Sequence, residues 1–306
     1  MNDKIKAKLL KKSRAARTEQ YGKLLSTFCI GLIMIIVIAI FGFIASHGIA
    51  TFVVNKVNVF DFLFKSNWNP TITNHGKPEV GALPMIIGSF GVTFLAIFLA
   101  TPLAIGAAIF MNEIAPKWGS RILQPVIELL VGIPSVVYGF IGLTLVVPII
   151  RHLFGGTGFG ILAGTFVLFV MILPTETAMT VDALRAVPRH YREASLALGA
   201  TRWQTIYKVV LRAATPGILT GVVMGMARAF GEALAVQMVI GNAALLPQNL
   251  ISPASTLTSV LTMGIGNTVL GSAANNALWS LALLLLIISL LFNLVIRWIG
   301  HKGEMK

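Results

Sequence analysis

The sequence predicts an all-α membrane protein with six transmembrane helices, and three observations carry that prediction. Hydrophobic residues make up 56% of the 306 residues and charged residues only 11%. Soluble domains carry about a quarter charged residues, so a water-soluble fold of this length would lack polar cover. Apolar runs long enough to cross a bilayer, which takes about 20 residues per helix, recur six times. The basic residues gather at alternate ends of those runs.

In chain order the runs lie near Leu24–Ile44, Pro84–Met111, Val126–Ile150, Gly160–Met179, Pro216–Ile240 and Ala277–Ile299. Glycine and proline interrupt the third and fourth, at Gly132–Pro134 and at Pro174. Such breaks are tolerated where neighbouring helices satisfy the freed backbone groups. The single cysteine, Cys29, lies inside the first run, which excludes an intramolecular disulfide and argues against a metal cluster. That run follows a basic segment but has no small-residue cleavage site, which favours a retained span over a removed signal peptide.

The charges test the count. Nineteen of the 24 basic residues precede run one, lie between runs two and three or four and five, or stand at the end of run six or after it; four (Lys56, Lys65, Lys77 and Arg151) lie on the other side. The positive-inside rule then puts both termini in the cytoplasm. The same placement makes the net charge of +13 a topology signal, so nucleic acid is not expected as a partner. The expected organisation is a basic cytoplasmic segment at 1–23, a six-span domain at 24–299 and a cytoplasmic tail at 300–306. An external loop is expected at 51–83 and a cytoplasmic loop at 182–215.

The external loop carries an aromatic patch, Phe60, Phe62, Phe64 and Trp68. It reads equally as an amphipathic stretch at the lipid headgroups or as a docking surface. In the cytoplasmic loop, Arg189–Leu198 predicts a short helix closed by Gly199, since glycine suits the left-handed position that ends a helix. Thr201 is placed to cap a second helix running towards Arg212. By structure alone such an element is either a connector or a docking element.

Its residues resemble a known pattern. Glu193-Ala194-Ser195, then Gly199, then Val209 and Leu211, are similar to the coupling loop of ABC importer permeases, whose pattern is Glu-Ala-Ala, Gly and then Ile-x-Leu-Pro. Arg212 stands where proline is usual, and Pro216 is placed to supply the break slightly later. Trp68-Asn69-Pro70 with Gly81-Ala82-Leu83-Pro84, Ile133 to Gly139, and Arg228-Ala229-Phe230-Gly231-Glu232-Ala233 resemble the phosphate-specific permeases, and among them the PstC-type subunit. The resemblance implies a type I ABC importer permease fold and phosphate import across the cell membrane. It implies as partners a second, PstA-type permease, two ATP-binding subunits, an external phosphate-binding protein and membrane lipid. ATP and Mg²⁺ would then be held by the partner subunits, with no cofactor in this chain. Glu193, Ala194, Ser195 and Gly199 would couple to the ATPase.

Run five holds the basic residue left over, Arg228. Placing arginine at mid-bilayer costs about 2.5–3.5 kcal/mol on insertion scales. Glu232 is expected one turn on, on the same face, and Gly217, Gly221 and Gly225 fall on that stripe too. Small residues allow close helix approach, so this face is expected to point into the bundle. One reading makes Arg228 and Glu232 a buried salt bridge that fixes helix register. The other gives Arg228 to the pathway, as a permanently charged planar fork for an oxyanion. The family resemblance implies the second. Ser135, Tyr138 and Glu176 are weaker pathway candidates; Thr175, Thr177 and Glu128 are weaker still, since such groups also mend broken helices or cap ends.

No Gly-x-x-x-x-Gly-Lys-Ser/Thr loop and no His-Glu-x-x-His occurs. An intramembrane hydrolase needs a base beside its nucleophile, and Ser89 has no such partner within sequence reach. The expectation is a transport subunit, not an enzyme.

Overall fold

The computed structural model describes residues 14–74 and 77–304. Among them six helices are long and apolar enough to cross a membrane: Thr18–Val53, Leu83–Ile114, Ser135–Phe154, Ile161–Ala186, Arg202–Phe230 and Ala273–Trp298, called spans one to six. The chain divides into two compact units, Met1–His47 and Gly48–Lys306. In the first, Leu24, Leu25, Ile30 and Ile33 are all exposed, and at the helical period they point to different sides, so the helix offers apolar side chains all round, as a lipid-facing helix does.

In the second unit, spans two, three, four and five share one apolar core, with Val92, Ala96, Val167, Leu168, Ile172, Ala229 and Val236 buried in it. A second cluster closes one end of the bundle, where Phe62, Val80, Met85, Phe230, Leu257 and Leu281 meet. A third closes the opposite end with Ile109, Met111, Leu184, Ile206 and Val210. The aromatic stretch forms a short helix, Val59–Phe64, capped by the Asn58 side chain. It buries Phe62 and leaves Phe60 and Phe64 exposed, their rings stacked 5.9 Å apart. Strands β1 (Trp68–Asn74) and β2 (Lys77–Val80) follow as an antiparallel hairpin, the one pair of strands among the described residues.

Spans one and four run longer than expected, to Thr18–Val53 and Ile161–Ala186, and two further spans differ in kind from their sequence-based bounds. Span three was expected from Val126, but Gln124–Gly132 is a separate helix and the span starts at Ser135. Ile133 is extended (φ −70°, ψ 128°), as a residue before proline prefers. Pro174, in contrast, stays inside a continuous helix, Ile161–Ala186. Span five was expected over Pro216–Ile240. It runs instead from Arg202 to Phe230, and Leu234–Ile240 is a helix of its own. The expected break near Pro216 is absent: the helix Leu211–Phe230 contains that proline. Thr220 Oγ1 donates to the Pro216 carbonyl at 2.9 Å.

The uncharged segment after span five folds back into the bundle. Ser255, Thr256, Thr258 and Ser259 are buried, and the Leu257 amide donates to Ser89 Oγ at 2.9 Å. A Cβ on Gly88 would fall 2.0 Å from the Ser255 carbonyl oxygen, so only glycine admits this approach.

Candidate functional site

Spans four and five pack through the expected small-residue stripe. A Cβ added at Gly217 would meet Ala183 Cβ at 2.7 Å, and one at Gly221 would meet Met179 Cβ at 2.9 Å. At Gly225 it would meet Glu176 Oε1 at 3.0 Å and Ile172 Cγ2 at 3.1 Å. Close approach through small residues is how membrane helices gain packing energy. It brings Arg228, one turn beyond Gly225, against span four. There Arg228 Nη1 donates to Thr175 Oγ1 at 2.7 Å.

Glu232 is not its partner. The expectation of a shared face extended the helix period through Gly231, but the helix ends at Phe230, and Arg228 belongs to its last turn. Glu232 lies beyond the end, where its Oε1 accepts from the Ala235 amide at 3.2 Å and so caps the Leu234–Ile240 helix. Its carbonyl accepts from Thr258 Oγ1 at 2.8 Å. With Ser89, Thr93, Thr256 and Thr258, Glu232 lines a polar cavity of about 10 Å³, close to the size that holds one water. Arg228 itself is exposed.

The weaker candidates separate. Tyr138 is buried and its hydroxyl donates to the Leu130 carbonyl at 2.8 Å, across the Gly132–Pro134 break. Ser135 is half-buried in the first turn after that break. Thr177 Oγ1 donates to the Leu173 carbonyl at 2.7 Å, beside Pro174. Glu128 is exposed and accepts from Gln124 Nε2 at 3.0 Å. Glu176 is 1% exposed, and its carboxylate accepts only long hydrogen bonds, 3.3 and 3.4 Å, from Thr101 on span two.

At the far end of the bundle, Arg189–Ala197 is a helix and Gly199 takes the left-handed conformation (φ +82°) as expected. Thr201 and Gln204 form a reciprocal capping box that starts span five. Glu193 and Ala194 are exposed, and Ser195 shares a 3.0 Å hydrogen bond with Thr205. Leu198, at the tip, is 90% exposed.

Sequence reasoning missed the ion pair beneath this helix. Arg192 Nη2 lies 2.6 Å from Glu113 Oε1, with both side chains largely buried. The partners stand 79 residues apart. The available signal was a lone carboxylate closing run two at Met111-Asn112-Glu113.

Six spans, a tight four–five seam carrying Arg228, and an exposed helix–glycine–helix element fit the expected permease of an ABC importer. The comparisons agree. Residues 100–302 match the family model described as "Binding-protein-dependent transport system inner membrane component", and the chain belongs to that family. It is 53% identical to "Probable ABC transporter permease protein YqgH" of Bacillus subtilis (strain 168), over 94% of this chain and 92% of that protein. It is 33% identical to "Phosphate transport system permease protein PstC" of Pasteurella multocida (strain Pm70), over 81% of each. Solved structures share the fold. A MetNI methionine ABC transporter chain in an inward-facing conformation matches with a TM-score of 0.55 at 21% identity, covering 72% of this chain and 94% of that one. A chain of a bacterial alginate ABC transporter matches at 0.57 and 13% identity, covering 96% and 98%. The protein is therefore a multi-pass inner membrane component of a binding-protein-dependent ABC importer, the permease and not the ATPase.

Proposed function

We propose that this chain is the PstC-type subunit of a phosphate importer. It pairs with a second, PstA-type permease and receives inorganic phosphate from an external binding protein. Two separate subunits holding ATP and Mg²⁺ dock on Glu193, Ala194, Ser195 and Gly199. Both termini lie in the cytoplasm, as the basic residues suggest. The observation that carries the reading is the state of Arg228. It is exposed, and its hydrogen bond goes to a neutral hydroxyl, that of Thr175. The other donors of its planar fork remain for an oxyanion, which guanidinium binds in bidentate fashion. The salt-bridge reading loses its support, because the Glu232 carboxylate caps the next helix instead. The PstC relatives, at about 30% identity, support phosphate as the anion.

On this reading phosphate enters the pathway and meets Arg228 as a transient partner, with the Thr175 hydroxyl fixing the guanidinium. Glu176 lies on the same seam, beside Gly225, and Ser135 and Tyr138 stand on span three just after the Gly132–Pro134 break; none of the three supplies charge of the right sign. Pressure on the Glu193–Gly199 element, when the ATP-binding subunits close, alternates the opening of the pathway.

A second reading has one observation in its favour: the 53% identical relative carries no substrate in its name. It keeps the mechanism and changes the anion to sulfate, molybdate or a phosphonate. Uptake of labelled phosphate by the assembled importer, with sulfate and molybdate as competitors, separates the two. Phosphate uptake unaffected by excess sulfate is expected. Uptake of another oxyanion in preference to phosphate contradicts the first reading.

A further inference from the structure

One side chain fastens the Arg189–Ala197 helix to two spans at once. Arg192 Nε donates to both Glu113 oxygens, at 3.2 and 3.3 Å, and Nη2 donates to Oε1 at 2.6 Å. The same guanidinium donates from Nη1 to the Val187 carbonyl at 2.8 Å and from Nη2 to the Leu184 carbonyl at 3.0 Å. Glu113 lies in the last turn of span two, and Leu184 and Val187 lie at the end of span four. These are the spans that carry Thr101 on one side and Thr175 and Glu176 on the other.

The bonding is of the stiff kind. A bidentate guanidinium–carboxylate pair fixes orientation as well as distance, and carbonyls at a helix C-terminus attract a cation. Apolar contacts at this end, such as Leu184 against Ile206, fill space but allow sliding. The helix's other polar tie, Ser195 to Thr205, leads into span five, which is already its covalent continuation. Arg192 thus supplies the polar route from this helix to spans two and four.

We propose that Arg192 and Glu113 are a positioning pair that carries displacement of the Arg189–Ala197 helix into spans two and four, so that transport stays tied to ATP hydrolysis. The proposal rests on the reading that ATP-binding subunits press on this helix. It adds which residues pass the movement on.

The test uses the assembled importer in liposomes, with binding protein, measuring phosphate uptake and ATP hydrolysis in the same sample. The variants are Glu113→Gln, which removes the charge, and Arg192→Lys, which removes the fork. Hydrolysis is expected to stay within about twofold, while phosphate moved per ATP falls about fivefold or more, the low end of coupling between distant sites. An unchanged ratio in both variants overturns the proposal. So does a parallel fall of both activities, which is what mere support of the fold produces. Should Glu113→Gln fail to assemble, Glu113→Asp keeps the charge and shortens the reach, and the ratio must fall there too. If the wild type carries sulfate and not phosphate, only the substrate reading fails, and the ratio is then read with sulfate.

Discussion

Arg192 and Arg228 both touch the end of a span, yet the structure treats them in opposite ways. Arg192 is mostly covered, faces a carboxylate and bonds two helix-end carbonyls as well. Arg228 is exposed and bonds one threonine hydroxyl. A guanidinium has five donors. Where most are engaged by the protein, as in Arg192, the residue builds structure; where most remain, it can take a ligand. On the proposed readings the first arginine ties its helix to spans two and four and the second binds the anion, and each role has measurable consequences.

The largest effect on stability is expected from Arg192→Ala. Removing one partner of a mostly buried pair strands the other, at a cost of about 3 kcal/mol, and the permease should melt markedly earlier in detergent. Arg228→Lys should leave the melting temperature almost unchanged, since one hydrogen bond to a neutral group is worth about 1 kcal/mol and lysine retains a donor. Equal melting of the two variants would erase the contrast. Next comes Gly225→Leu, which forces a side chain into Glu176 and Ile172. Overpacking of this kind costs about 1–3 kcal/mol, and by pushing span five off span four it should also unseat Arg228 from Thr175. Glu232→Ala removes a helix cap, for about 1 kcal/mol, and thermal melting reads it. The smallest effect is expected at the surface pair of Asp61 and Lys65, 2.8 Å apart and open to solvent. Asp61→Ala should cost no more than about 0.5 kcal/mol.

The six spans were legible because length and apolarity suffice to define a crossing, and the glycine stripe because helical spacing places Gly217, Gly221 and Gly225 on one face. Pro134 and Pro174 look alike in sequence but end differently. The first follows Gly132 and ends a helix. The second lies in a span packed on both sides, where the helix continues and Thr177 satisfies a neighbouring carbonyl. Glu232 was misplaced because a helix period says nothing of where the helix stops, and Gly231 stops it. The return of Ser255–Ser259 into the bundle was hidden in a segment without charge or period. The Arg192–Glu113 pair was hidden by sequence distance, since only the meeting of spans two and four brings those groups together.

The most direct test of the account is phosphate uptake by the assembled importer carrying Arg228→Gln, with Arg228→Lys beside it. The glutamine variant should assemble, hydrolyse ATP and lose about tenfold to a hundredfold in uptake, the worth of a charge-assisted hydrogen bond of about 1.5–3 kcal/mol. The lysine variant should keep a larger share. Uptake by Arg228→Gln equal to the wild type would show that the exposed guanidinium is not the partner of the anion.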